Sequence, residues 1–215
     1  DQTGGAAFKA WFGDSVVTDT GKPGGKPLVV YHGTAADIRA FDMGRGGQVW
    51  EDAASRAGIF FTKDAEEAKH FSAVASLRGG GVKNVIQAYL SIKNPAIITD
   101  DGTSKFVERW LADLRESNPD EYDMQISTKQ YANSGGIGKG LELAILDAKA
   151  RGKDGVVVDL EDSPRWYVAF RPEQIKSSIG NRGTFGPSDP NIMHSRGGDA
   201  LARAIPQLAR DRMGE

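Results

Sequence analysis

Short apolar runs alternate with polar, glycine-punctuated stretches along this chain, and the pattern predicts a mixture of strands and helices. The run Lys26 to Val30 (KPLVV) is apolar and β-branched, so it predicts a buried strand over 28–32 that delivers Tyr31-His32-Gly33-Thr34 into a turn. Gly58-Ile59-Phe60-Phe61-Thr62 predicts a second short strand. Directly after it, Asp64-Ala65-Glu66-Glu67 has the spacing of a helix N-terminal capping box. The helix it opens extends to Leu77, with Ala68, Phe71, Val74 and Ala75 on one face, and Gly79-Gly80-Gly81 stops it.

Further along, Val82 to Ile92 alternates as a longer strand that Asn94-Pro95 breaks. Ser104 to Glu116 predicts a helix with Phe106, Val107, Trp110, Leu111 and Leu114 inward. Residues 117–140 are polar and glycine-rich and are expected as an insertion loop; 42–57 are expected as a mobile loop beside the cleft. Leu141 to Arg151 predicts a helix closed by Gly152, and Gly155 to Leu160 and Tyr167 to Phe170 predict two strands. Phe8 to Phe12 predicts one aromatic-rich helical turn docked on the core. The expected organisation is a disordered lead-in over 1–7, one domain over 8–186, and a linker over 187–215 in which 198–213 is a helical stretch interrupted by Pro206.

At 215 residues the chain is long enough for one domain with a sizeable core. Its net charge of −2 supplies no general electrostatic drive toward nucleic acid or membranes. Arg165, Arg171, Lys176 and Arg182 form a local basic group that leaves a nucleic-acid partner open. The absence of cysteine excludes disulfides, a thiolate nucleophile and a Cys-based zinc site. The three histidines (32, 70 and 194) are widely spaced, so no metal site is expected. No apolar run approaches a membrane span and no signal peptide is visible; a chain starting at Asp1 is expected to be a piece of a longer polypeptide.

The candidate chemistry sits at the ends of the first two strands. His32 alone reads as a buried structural histidine, but Gly33 allows a close approach to the backbone and Thr34 adds a hydroxyl. Phe61-Thr62 reads either as a core aromatic with a capping threonine or as a stacking wall with an orienting hydroxyl. The glycine run from Gly135 to Gly140 lacks the Lys-Ser/Thr ending and the preceding strand of a phosphate loop, and reads as a flexible loop.

Taken in order, Phe8 to Ser15, Pro27 to Thr34, Gly58 to Phe71, Gly152 to Val156 and Tyr167 to Phe185 resemble the ADP-ribosyltransferase fold. The resemblance is to the phage and bacterial group found in head-morphogenesis and polyvalent proteins and in some secreted effectors. It covers about residues 8–195, and its closing block, Asn181 to Phe185 with Asp189 to Ile192, is its more specific part. It implies an α+β fold, a split β-sandwich with helices packed on the sheets, holding NAD+ as co-substrate without a metal. It further implies a mono-ADP-ribosyltransferase acting on a host protein, in the host-cell cytoplasm after phage expression, injection or secretion. The alternative is a catalytically silent NAD-binding or interaction module.

By the same resemblance Tyr31, His32, Gly33, Thr34, Phe61, Thr62 and Tyr167 would contact NAD+. His32 would bond the adenosine ribose, Gly33 backbone groups would hold the nicotinamide amide, and Phe61 would stack on the ring. The cleft would strain the nicotinamide–ribose bond and stabilise an oxocarbenium-like centre. One departure stands out: Trp166 occupies the place, just before Tyr167, where the toxin and polymerase relatives carry a catalytic glutamate. Glu173 or Gln174, and after them Glu161 or Asp162, are the expected substitutes; otherwise the acceptor brings its own carboxylate or transfer is lost.

Overall fold

In the computed structural model the residues described are 2–46, 54–128, 138–161, 163–181, 183 and 185–193. Seven strands join in one sheet: β1 Val30–Thr34, β2 Ile59–Thr62, β3 Asn84–Leu90, β4 Ala96–Ile98, β5 Gly155–Val158, β6 Trp166–Ala169 and β7 Ile175–Ser177. Their order is β4-β5-β6-β2-β1-β3-β7, all antiparallel except β4 on β5. The helices among the described residues are α1 Ala6–Phe12, α2 Ala54–Ala57, α3 Ala65–Gly79, α4 Asp100–Ser117, α5 Pro119–Thr128 and α6 Gly138–Ala150. None of them is long and apolar enough to cross a membrane.

The sheet is continuous but nearly severed in the middle. β1 pairs with β3 over five residues, and β2 pairs with β6 over four, whereas β1 and β2 share the single register pair Tyr31–Thr62. This is the split of the expected sandwich: two half-sheets hinged at one residue pair.

Strand alternation assigns the faces. Val30, Phe61, Tyr167 and Ala169 point into one core with Phe41, Ile86, Leu90 and Ile175. Val156, Val158 and Val168 point the other way, under Leu141, Ala144, Ile145 and Ala148 of α6, with Phe60 and Trp166 packed at the margin. α3 also lies on this second face, against β1. Its N-terminus follows from Asp64, whose side chain accepts from the amides of Glu66 and Glu67.

A third cluster sits at one end. Phe8, Trp11 and Phe12 of α1 enclose Phe185, with Phe8 stacked on Phe12 at 5.1 Å and edge-on to Phe185 at 5.0 Å. The first and last blocks of the resemblance therefore meet in space.

Several expectations are corrected. Residues 119–128, expected in a loop, form α5, started by Asn118 (whose Oδ1 accepts from the Glu121 amide at 3.3 Å) and by Pro119 in the first turn. Gln2–Gly4, in the expected lead-in, form a 3-10 turn, and the Gln2 amide donates to the Ser178 carbonyl. Residues 187–193, expected to begin a linker, pack on the domain: Ile192 is buried and donates to Arg39 O at 2.8 Å, and Lys176 Nζ donates to the carbonyls of Asp189 and Asn191. Within 42–57, Met43–Arg45 form a 3-10 turn and Ala54–Ala57 form α2. Asp162, Arg182, Thr184, His194, residues 135–137 of the glycine run and the stretch 198–213 lie outside the described residues.

Candidate functional site

The point where β1 leaves β2 is where the chemistry gathers. Beyond Tyr31–Thr62, the same register would set Gly33 opposite Phe60. Instead the Phe60 carbonyl bonds His32 Nδ1 at 2.8 Å. The imidazole thus takes an oxygen that strand pairing would otherwise have used, and it holds the two half-sheets together as they part. By alternation the amide and carbonyl of Gly33 face this opening.

The His32 ring is fixed edge-on to Phe41 at 5.1 Å and tilted against Phe61 at 5.4 Å. Loss of water in this aromatic setting pushes its pKa below the ordinary histidine value, and the bond to Phe60 only partly opposes this. A carbonyl can only accept, so Nδ1 carries the proton and Nε2 is left as an acceptor suited to a hydroxyl.

The depressed pKa sets a pH dependence. On acidification the unfolded chain takes up the proton first. The contribution of His32 to stability is therefore constant above about pH 6.5 and falls below it until the lower native pKa is passed. Asp159, whose carboxyl the Arg165 guanidinium holds below its usual range, loses its contribution only at lower pH. Urea midpoints between pH 7.5 and 5 are expected to fall in the wild type and to fall less in His32→Gln; equal slopes would rule out this origin.

Gly33 is packed rather than open on its side-chain face. A methyl placed there would lie 2.0 Å from Ala68 O, 2.7 Å from Ser72 N and 2.9 Å from Phe71 Cβ, so the missing side chain is what lets α3 lie on β1. Tyr31 is half-buried on the same face, in register with Thr62. Thr34 closes β1, its hydroxyl accepting from Ala36 N at 3.2 Å.

The remaining expected contacts are displaced. Phe61 is 1% exposed, its ring enclosed by His32, Phe41 and its cross-strand neighbour Tyr167, so it has no face to offer a ligand. Tyr167 is likewise buried, with its hydroxyl on Arg165. Thr62 is buried and its hydroxyl accepts from Asp64 N at 3.0 Å, serving the start of α3. Half-buried aromatics beside the opening include Phe60, on the face opposite to Phe61, and Phe71 on α3. Alternation along β2 separates Phe60 from Phe61 in the sequence, but which of the two enters the core depends on the partners of both faces.

Neither expected catalytic substitute lies at the opening. Gln174 is 3% exposed, and its amide is spent on backbone. Oε1 accepts from Phe170 N at 3.0 Å and Arg171 N at 2.9 Å, while Nε2 donates to Ser91 O at 3.0 Å and Asp154 O at 2.7 Å. Glu173 follows the far end of β6, where its carbonyl accepts from the Trp11 indole at 3.0 Å. Glu161 is exposed in the loop before β6. Trp166 lies at the start of β6, in register with Thr62, and its indole donates to Glu67, 3.1 and 3.0 Å from the two carboxylate oxygens. Among the described residues no group of three His, Asp or Glu is placed to hold a metal ion.

Residues 23–185 match the family described as ADP-ribosyltransferase in polyvalent proteins. The chain belongs to this family. Family membership supports a transferase, and ADP-ribosyltransferases use NAD+ as substrate. No curated protein matches the chain. Among solved structures, an anti-CRISPR protein superposes with a TM-score of 0.32 at 11% identity, over 69% of this chain and 91% of the other.

Proposed function

We propose that this ADP-ribosyltransferase domain transfers ADP-ribose from NAD+ to a side chain of a host-cell protein, releasing nicotinamide, and that it acts in the host cytoplasm as part of a phage-borne or secreted protein. The observation that supports this reading best is the parting of β1 from β2, which leaves the Gly33 amide and carbonyl beside a neutral histidine with an acceptor nitrogen. A carboxamide needs one donor and one acceptor, and a single extended glycine supplies both. Phe60 and Phe71 provide half-buried aromatic surface for the flat ring, in place of Phe61. His32 Nε2 accepts from a ribose hydroxyl. The net charge of −2 favours a protein over a nucleic acid as acceptor.

The test is incubation of the purified protein with biotinylated NAD+ and a whole-cell lysate, beside His32→Ala. Labelled proteins in the wild type that fade in the variant are the expected result. Calorimetry is expected to show NAD+ affinity reduced by about 1–3 kcal/mol in His32→Ala. NAD+ binding without labelling would instead favour the silent module, for which Trp166 is the specific observation.

A further inference from the structure

The capping box expected at the start of α3 is only half formed. Asp64 caps the amides of Glu66 and Glu67, but the reciprocal partner is missing: the Asp64 amide is taken by the Thr62 hydroxyl at 3.0 Å. The Glu67 carboxylate, released from that local duty, reaches across to β6 and sits on the Trp166 indole.

That position is informative. Trp166, Thr62 and Tyr31 form one cross-strand row on the face that also carries Gly33 and Phe60. Glu67 is half-buried on α3, one residue before Ala68, whose carbonyl abuts Gly33. The single indole N–H is shared between the two carboxylate oxygens, and each keeps a lone pair available for hydroxyl donors. Held by the indole, the carboxylate has little rotamer freedom left to lose when a ligand arrives.

We propose, building on the function proposed above, that Glu67 is the catalytic carboxylate of this domain and that Trp166 is its positioning residue. The carboxylate comes from the first turn of α3, across from Trp166 on β6. Glu67 accepts a hydroxyl of the nicotinamide ribose and lies against the positive charge that grows at C1′. The C1′–N bond breaks with its electron pair leaving on nicotinamide. The acceptor nucleophile (or water, in simple hydrolysis) forms the new bond to C1′, and Glu67 takes its proton.

The experiment follows NAD+ cleavage and NAD+ binding in parallel for wild type, Glu67→Gln, Trp166→Phe and the double variant Glu67→Gln/Trp166→Glu. Glutamine still accepts from the indole, so the Glu67→Gln urea midpoint is expected to match wild type. Its kcat is expected to drop on the order of 10²–10³-fold, with NAD+ affinity by calorimetry little changed. Trp166→Phe is expected to lower kcat by a smaller factor, and the double variant to recover part of the loss by restoring a carboxylate on β6. Undiminished cleavage by a folded Glu67→Gln overturns the assignment and leaves the transferase reading intact. Wild type that binds NAD+ without cleaving it overturns the assignment in favour of a silent module. Wild type that neither binds nor cleaves overturns both.

Discussion

Gly33→Ala is expected to destabilise the domain by about 3 kcal/mol or more, enough to unfold a marginal protein. The added methyl would meet the Ala68 carbonyl oxygen at 2.0 Å and the Ser72 amide at 2.7 Å, both backbone atoms that cannot rotate away. Relief requires α3 to lift from β1 as a unit, and the α3–β1 contact is among the most extensive in the fold. Urea denaturation of the variant is therefore expected to shift strongly to lower midpoint, or to show no cooperative transition. An unchanged midpoint would mean that α3 is not seated on Gly33. Gly33 has two duties on two sides. Its side-chain face admits the helix, and its backbone edge faces the opening between β1 and β2. Loss of NAD+ binding in Gly33→Ala would not identify a ligand contact, whereas the same loss in His32→Ala, with the fold retained, would.

The parts of the fold that were legible in the sequence are those with local causes. Asp64 with its two following glutamates marks the start of α3, and Gly79-Gly80-Gly81 marks its end. The β-branched run before His32 gives β1, shifted toward Val30–Thr34 because β3 pairs through Thr34. α5 had a legible start in Asn118-Pro119, but its residues are mostly polar and its apolar stripe is weak, so periodicity could not carry it. The site divides in the same way. His32 and Gly33 were visible as a strand end with unusual residues. The burial of Phe61 was not legible, because strand alternation says that Phe60 and Phe61 oppose each other but not which one meets Phe41 and Tyr167. Glu67 read locally as a capping residue. Its contact with Trp166 spans 99 residues and exists only because β6 pairs with β2 at Thr62.

Gln174→Leu is expected to cost about 3–5 kcal/mol in stability, and any loss of transfer in that variant to track loss of fold. Leucine fills much of the same space, so the effect isolates the amide. Removing it strands the Phe170 and Arg171 amides and leaves the Ser91 and Asp154 carbonyls without their donor, in a place where Gln174 is 3% exposed and little water can replace them. These four groups come from the end of β6, the residue after β3 and the turn into β5. The glutamine therefore ties together three strand ends that stand far apart in the chain. Gln174→Glu is expected to be damaging too, because a carboxylate can still accept from the two amides but cannot donate to the two carbonyls. Urea midpoints for both variants, set beside NAD+ cleavage measured well below their unfolding midpoints, separate the roles. A stable Gln174→Leu that has lost cleavage would return Gln174 to the chemistry, whereas an unstable one that still cleaves while folded fixes it as a structural clamp and leaves the carboxylate at the opening to α3.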